Sequence, residues 1–209
     1  MDLKLSGSGV VPAGEYGSVM LRGKVRFLGD IQCNAFSSSG SLKGEGLVCA
    51  GKVAISGASK WTKAVSATDL RVSGSFACDA VTCQNLSIKG AVTTAGDMVA
   101  DENAELKGRV ICGLLSAKRI SVVFDAKTEI YAIKGGTVSV KKKILPFIQN
   151  ARVTTSVEAD DVSLSRVSCP SVVGKRVTIG KGCEIALVQY SETVEISGTA
   201  KVGKIEKIL

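Results

Sequence analysis

Val53-Ala54-Ile55-Ser56-Gly57, Leu70-Arg71-Val72-Ser73-Gly74 and Leu86-Ser87-Ile88-Lys89-Gly90 are three versions of one phrase: apolar, small or polar, apolar, polar, glycine. The phrase extends in both directions. Upstream stand Val19-Met20-Leu21-Arg22-Gly23 and Phe36-Ser37-Ser38-Ser39-Gly40, and downstream stands Ala104-Glu105-Leu106-Lys107-Gly108. From Gly23 to Gly108 the glycines are 17, 17, 17, 16 and 18 residues apart. The strand-like part continues without its glycine at Ile120-Ser-Val122, Val138-Ser-Val140, Val162-Ser-Leu164, Val177-Thr-Ile179 and Val194-Glu-Ile196, where Gly198 restores it. That makes eleven copies, with one interval, Val138 to Val162, stretched to 24 residues.

A short segment that alternates apolar and polar residues reads as a strand with one buried face. One such strand cannot bury that face alone. Stacked repeats bury it continuously and pair each backbone with the coil above and below. At ~3.3 Å per residue, one repeat traces a loop of roughly 55 Å, enough for about three short sides. A second apolar pair follows the glycine (Val25 and Phe27, Phe76 and Cys78, Val110 and Cys112), and a third precedes the next copy around Ile31, Val48, Val65, Val81 and Met98. The reading is all-β: a single parallel β-helix over residues 16–209, preceded by a short segment 1–15 and interrupted near 141–152. A β-sandwich has no reason to keep a constant period. The 16–18 variation, against the strict hexapeptide step of left-handed helices, predicts the right-handed form.

Composition agrees. Only 4% of the 209 residues are aromatic, which suits a narrow core of small aliphatic side chains. The chain has no histidine, so Ser-His and Cys-His hydrolase arrangements are excluded, as is the usual partner of cysteine at zinc. The seven cysteines form no CxxC pair, and Cys33, Cys78, Cys83 and Cys112 keep the phase of the repeat, as interior packing residues would. No cofactor and no metal are expected. The absence of a signal-like start and of an apolar run near ~18 residues points to the cytoplasm, with association to a membrane left open. The net charge of +8 permits an acidic partner surface without specifying one; nucleic acid is not expected.

Gly14-Glu-Tyr16-Gly-Ser-Val-Met-Leu-Arg-Gly23, Gly29-Asp-Ile31 and the Val-x-Ile-x-Gly repeats resemble the bactofilins, bacterial polymer-forming cytoskeletal proteins. The resemblance covers most of the chain from about Tyr16. It implies a right-handed β-helix that assembles end to end into filaments without nucleotide and serves as a scaffold at the membrane or envelope. The chain departs from the family pattern in its larger number of coils, in the irregular stretch from Lys141 to Arg152 and in lacking Pro-rich tails.

Few features offer chemistry. Asp160-Asp161 and Asp101-Glu102 lie between strands without a calcium-loop spacing and read as turn residues. No phosphate-loop motif occurs. Lys141-Lys142-Lys143, followed by Phe147, reads as a loop or bulge leaving the rod; it is either a solvated edge flanking a strand on the solenoid wall, the favoured reading, or a candidate for contact with a membrane or partner surface. Each end of a β-helix exposes unpaired backbone groups that invite another strand. The polymer-interface candidates are therefore Val19 and Leu21 near the start and Val202, Ile205, Ile208 and Leu209 near the end. Three functions compete: a homopolymer, with a paralogue as a further partner; a non-polymerising adaptor for membrane or envelope proteins; and a solenoid enzyme. The missing histidine ranks the enzyme last.

Overall fold

A computed structural model describes residues 1–143 and 149–208. Among these residues there is no helix, and eleven strands follow one another: β1 (Leu3–Gly44), β2 (Leu47–Trp61), β3 (Val65–Cys78), β4 (Val81–Thr94), β5 (Met98–Phe124), β6 (Glu129–Lys142), β7 (Ala151–Val153), β8 (Ser156–Leu164), β9 (Val167–Ile179), β10 (Glu184–Ile196) and β11 (Lys201–Lys207). Pairing between them is parallel and runs in sequence order from β1 to β6, through β7 and β8 to β9, and on to β11. Parallel neighbours need a long crossover. Here the crossover is the rest of the coil, itself strand. The molecule is a β-solenoid of about 17 residues per turn.

The repeat read from the sequence is the register of the sheet. Phe36, Val53, Leu70, Leu86 and Ala104 are successive Cα partners. So are Ile120, Val138, Val162, Val177 and Val194. Three inward pairs per coil define three sides. In β3 they are Val65/Ala67, Leu70/Val72 and Phe76/Cys78; in β4, Val81/Cys83, Leu86/Ile88 and Val92/Thr94. Alternation breaks only at the corners, so a constant inner column is filled mostly by aliphatic side chains and thiols.

One corner requires glycine. Gly7, Gly23, Gly40, Gly57, Gly74, Gly90 and Gly108 all have φ between 99° and 129°. A Cβ at Gly74 would sit 2.2 Å from the carbonyl oxygen of Gly57, and one at Gly90 would sit 2.1 Å from that of Gly74. Side chains rarely adopt this backbone, and the stacked corner leaves no room for one. Aromatic rings occupy a neighbouring part of the core. Phe27, Phe36 and Trp61 meet at centroid distances of 5.8–6.2 Å. Gly44 accommodates the indole, since a Cβ there would lie 2.5 Å from it.

Three expectations need correction. Residues 1–15 are not a separate segment. Strand β1 starts at Leu3, and Gly23 stacks on Gly7, so Leu3-Lys4-Leu5-Ser6-Gly7 is a further copy of the phrase. Val19 and Leu21 consequently lie one coil inward and are buried, covered by that first coil. The lysines do not form a protruding loop. Lys141 and Lys142 end β6, paired with Val123 and Phe124, and the backbone N–H of Lys143 donates to the Phe124 carbonyl. Chain regularity therefore persists to Lys143, because the sheet ladder is still being satisfied there. Phe147 lies outside the described residues. Strand β7 lies in the sheet between β6 and β9.

Candidate functional site

The candidate site is the pair of edges at which the stack stops. At one edge the backbone N–H of Gly17 donates to the Met1 carbonyl and that of Ser18 donates to Asp2 Oδ1, at 2.8 Å each. These bonds tie the first residues down on the second coil. Leu3 and Leu5 are only partly covered and pack on the core from outside. Gly7 shows the edge directly. A Cβ there would meet nothing within 4 Å, whereas its counterparts from Gly23 to Gly108 would strike the carbonyl of the preceding coil.

At the other edge β11 pairs with β10 and with no other strand among the described residues. Val202 is half-buried, while Ile205 and Ile208 are exposed at 49% and 37%. Ile196 of β10 is exposed as well. Large exposed aliphatics beside unpaired strand edges are what a further strand would cover. Leu209 lies outside the described residues. Of the sequence-stated interface positions the structure thus brings Val202, Ile205 and Ile208 to an edge and removes Val19 and Leu21 from one. The missed residues are Leu3 and Leu5, whose signal was present: Leu3-x-Leu5-x-Gly7 stands 16 residues before Val19-x-Leu21-x-Gly23.

Polar ladders run along the walls between the edges. Asn85 Nδ2 donates to Asp69 Oδ1 at 2.9 Å, Asn103 Nδ2 to Asn85 Oδ1 at 2.7 Å, and Arg119 Nε to Asn103 Oδ1 at 2.7 Å. Further along, Arg176 donates to Asp161 and to Glu192, and its guanidinium holds the Asp161 carboxyl below the usual carboxylate range. Asp160 pairs with Lys175, and Glu102 with Lys118. Asp160, Asp161 and Glu102 are accordingly tied to cations on the next coil, and no cluster among the described residues has the makeup of a metal site.

Burial works against the thiolate at six of the cysteines. All seven thiols are buried and free. Burial pushes the Cys78, Cys83 and Cys112 thiols up to about 12 and that of Cys169 to about 11. Cys33, stacked in register on Cys49, is likewise raised to about 12 by burial and by that neighbour. A nucleophilic or metal-binding role needs a thiolate, and these surroundings disfavour it.

No helix among the described residues is long and apolar enough to cross a membrane. Compared with protein-family models, with curated proteins and with solved structures, the chain matches none.

Proposed function

We propose that this chain is a structural protein whose solenoids stack end to end into nucleotide-independent filaments, forming a cytoskeletal scaffold at or near the cell membrane. The observation that carries the reading is the outer edge of β11, which has no strand partner among the described residues and is flanked by exposed Ile205 and Ile208. The opposite edge, Leu3-x-Leu5, repeats the same alternation as Val194-x-Ile196. A second copy can therefore extend the ladder by strand addition while covering aliphatic side chains already in phase. The bactofilin resemblance points the same way. Catalysis is not part of this reading: histidine is absent and the thiols are buried.

Negative-stain electron microscopy of purified protein without nucleotide tests it, together with Ile205→Lys/Ile208→Lys. Filaments are expected for the parent chain and none for the variant, with unchanged circular dichroism, because charges at a strand edge block addition. A parent chain that stays monomeric across salt and concentration overturns the reading.

A further inference from the structure

The wall that follows the glycine corner carries cations stacked on one another in successive coils. Arg26 and Lys43 each stand three residues after stacked glycines, Gly23 and Gly40, and Lys43 is the Cα partner of Lys60. Three cations therefore lie in one line along the rod at ~4.8 Å intervals. Arg22 and Lys24 flank the same corner one coil from the edge. All five are exposed, and none is in an ion pair or side-chain hydrogen bond among the described residues. The acids nearby, Asp30 and Glu45, are held by a different residue, Lys63, at 3.1 and 2.9 Å.

Like charges directly opposite on neighbouring strands are destabilising. Elsewhere stacked charges are offset: Asp161, Arg176 and Glu192 are interleaved, Lys201 lies on Glu184, and Lys107, which stacks on Lys89, is paired with Glu105 at 2.6 Å. A line of three stacked cations with no acid paired to any of them marks that line as serving something outside the fold. The same recess contains Val10, Leu28, Lys24, Arg26, Lys43 and Lys60. Val10 and Leu28 are exposed at 62% and 58%. Cations set beside exposed aliphatics on a flat sheet fit a bilayer surface, where headgroup charge and shallow apolar insertion act together. Five cations also fall within the number expected of an anionic-lipid contact, which the three lysines at 141–143 do not reach. The wall residues facing outward here include no aromatic ring on which a nucleic-acid base could stack.

We infer that the wall bearing Arg26, Lys43 and Lys60, with Val10 and Leu28, docks on an anionic lipid membrane. The inference rests on the membrane-scaffold reading for its setting and gives that reading a contact face, one different from the lysine cluster at the end of β6. In a filament the face recurs once per copy, so individually weak contacts add.

Co-sedimentation with phosphatidylcholine vesicles, with and without phosphatidylserine, tests it. The full chain should bind only the vesicles that contain phosphatidylserine and should be released by salt. Arg26→Gln/Lys43→Gln/Lys60→Gln should weaken binding about a hundredfold, from about fivefold per cation, and Lys60→Gln alone about fivefold. Lys141→Gln/Lys142→Gln/Lys143→Gln should bind like the parent. Binding that is indifferent to phosphatidylserine, unchanged in both the triple and the single ladder variants, or lost with the 141–143 variant overturns the inference. So does tighter binding to duplex DNA than to vesicles at equal salt. Filaments are imaged in parallel: vesicle binding without filaments refutes the polymer and leaves this face standing, and filaments without binding do the reverse.

Discussion

Gly74→Ala in the middle of the glycine corner should be among the most damaging conservative substitutions in the chain. Two costs combine. At φ 129° an alanine is strained by ~1–3 kcal/mol. Its Cβ would also lie 2.2 Å from the Gly57 carbonyl oxygen and 3.0 Å from that carbonyl carbon. The obstacle is backbone, already fixed in the parallel ladder, so relief means moving a coil, at a further ~1–3 kcal/mol. The sum, about 2–6 kcal/mol, is a large fraction of an ordinary folding stability. For a chain of this length each kcal/mol lowers Tm by ~2–4 °C, so about 4 kcal/mol is a drop of roughly 8–16 °C. Gly198→Ala is the control, because a Cβ there meets nothing within 4 Å and no positive φ constrains it. It should leave stability within ~0.5 kcal/mol or raise it slightly. The assay is thermal and urea unfolding by circular dichroism, with hydrogen exchange to show which coils open, since repeat arrays do not always unfold as one unit. A Gly74→Ala protein as stable as Gly198→Ala would refute the argument that stacking demands glycine here.

Further outcomes follow from other parts of the rod. Gly44→Ala should destabilise by ~1–3 kcal/mol because its Cβ would lie 2.5 Å from the Trp61 ring, and the cost should shrink in a Trp61→Leu background; additive losses in a double-mutant cycle would count against this contact. Cys33, Cys78, Cys83 and Cys112 have folded-state pKa values raised from 9.0 to about 12, so the unfolded chain releases these protons first. Their contribution to stability is complete below pH 9 and should be lost as pH rises from 9 through 12, and replacing Cys78 and Cys112 with alanine should flatten a plot of urea midpoint against pH in that window. Arg176→Ala should lower the urea midpoint only slightly in spite of its two carboxylate partners, since the group is solvated, and high salt should erase the difference; a large, salt-independent loss would show that the ladder is structural.

How far the sequence could be read depended on what carried the period. The glycine corner was visible because its residues are chemically singular and recur at nearly constant spacing. The inner columns followed, since alternation around Val53, Leu70 and Leu86 locates the buried side. The first coil was missed because Gly7 lies in a run crowded with glycine and serine, where Leu3 and Leu5 look like an ordinary lead-in. That single omission moved Val19 and Leu21 from the interior to a supposed edge. The three consecutive lysines stand out by adjacency, yet Lys141 and Lys142 only complete β6 and Lys143 is held by the Phe124 carbonyl. Arg26, Lys43 and Lys60 escaped notice for the opposite reason. They sit 17 residues apart, so each reads as an isolated surface charge until the glycine period is applied to them. In a solenoid the contiguous surface is written down the coils and not along the chain.

The direction of the backbone hydrogen bonds has a mechanical consequence. In this fold they lie along the rod, while the covalent chain winds around it. Tension applied to the two ends is therefore borne by one coil's hydrogen bonds at a time, in series, and by no covalent strut. The glycine period of 17 residues makes each released coil worth about 60 Å of slack chain, against ~4.8 Å of rod lost. Under a steady pull such a rod lengthens by peeling turns from its ends, absorbing load as it unwinds.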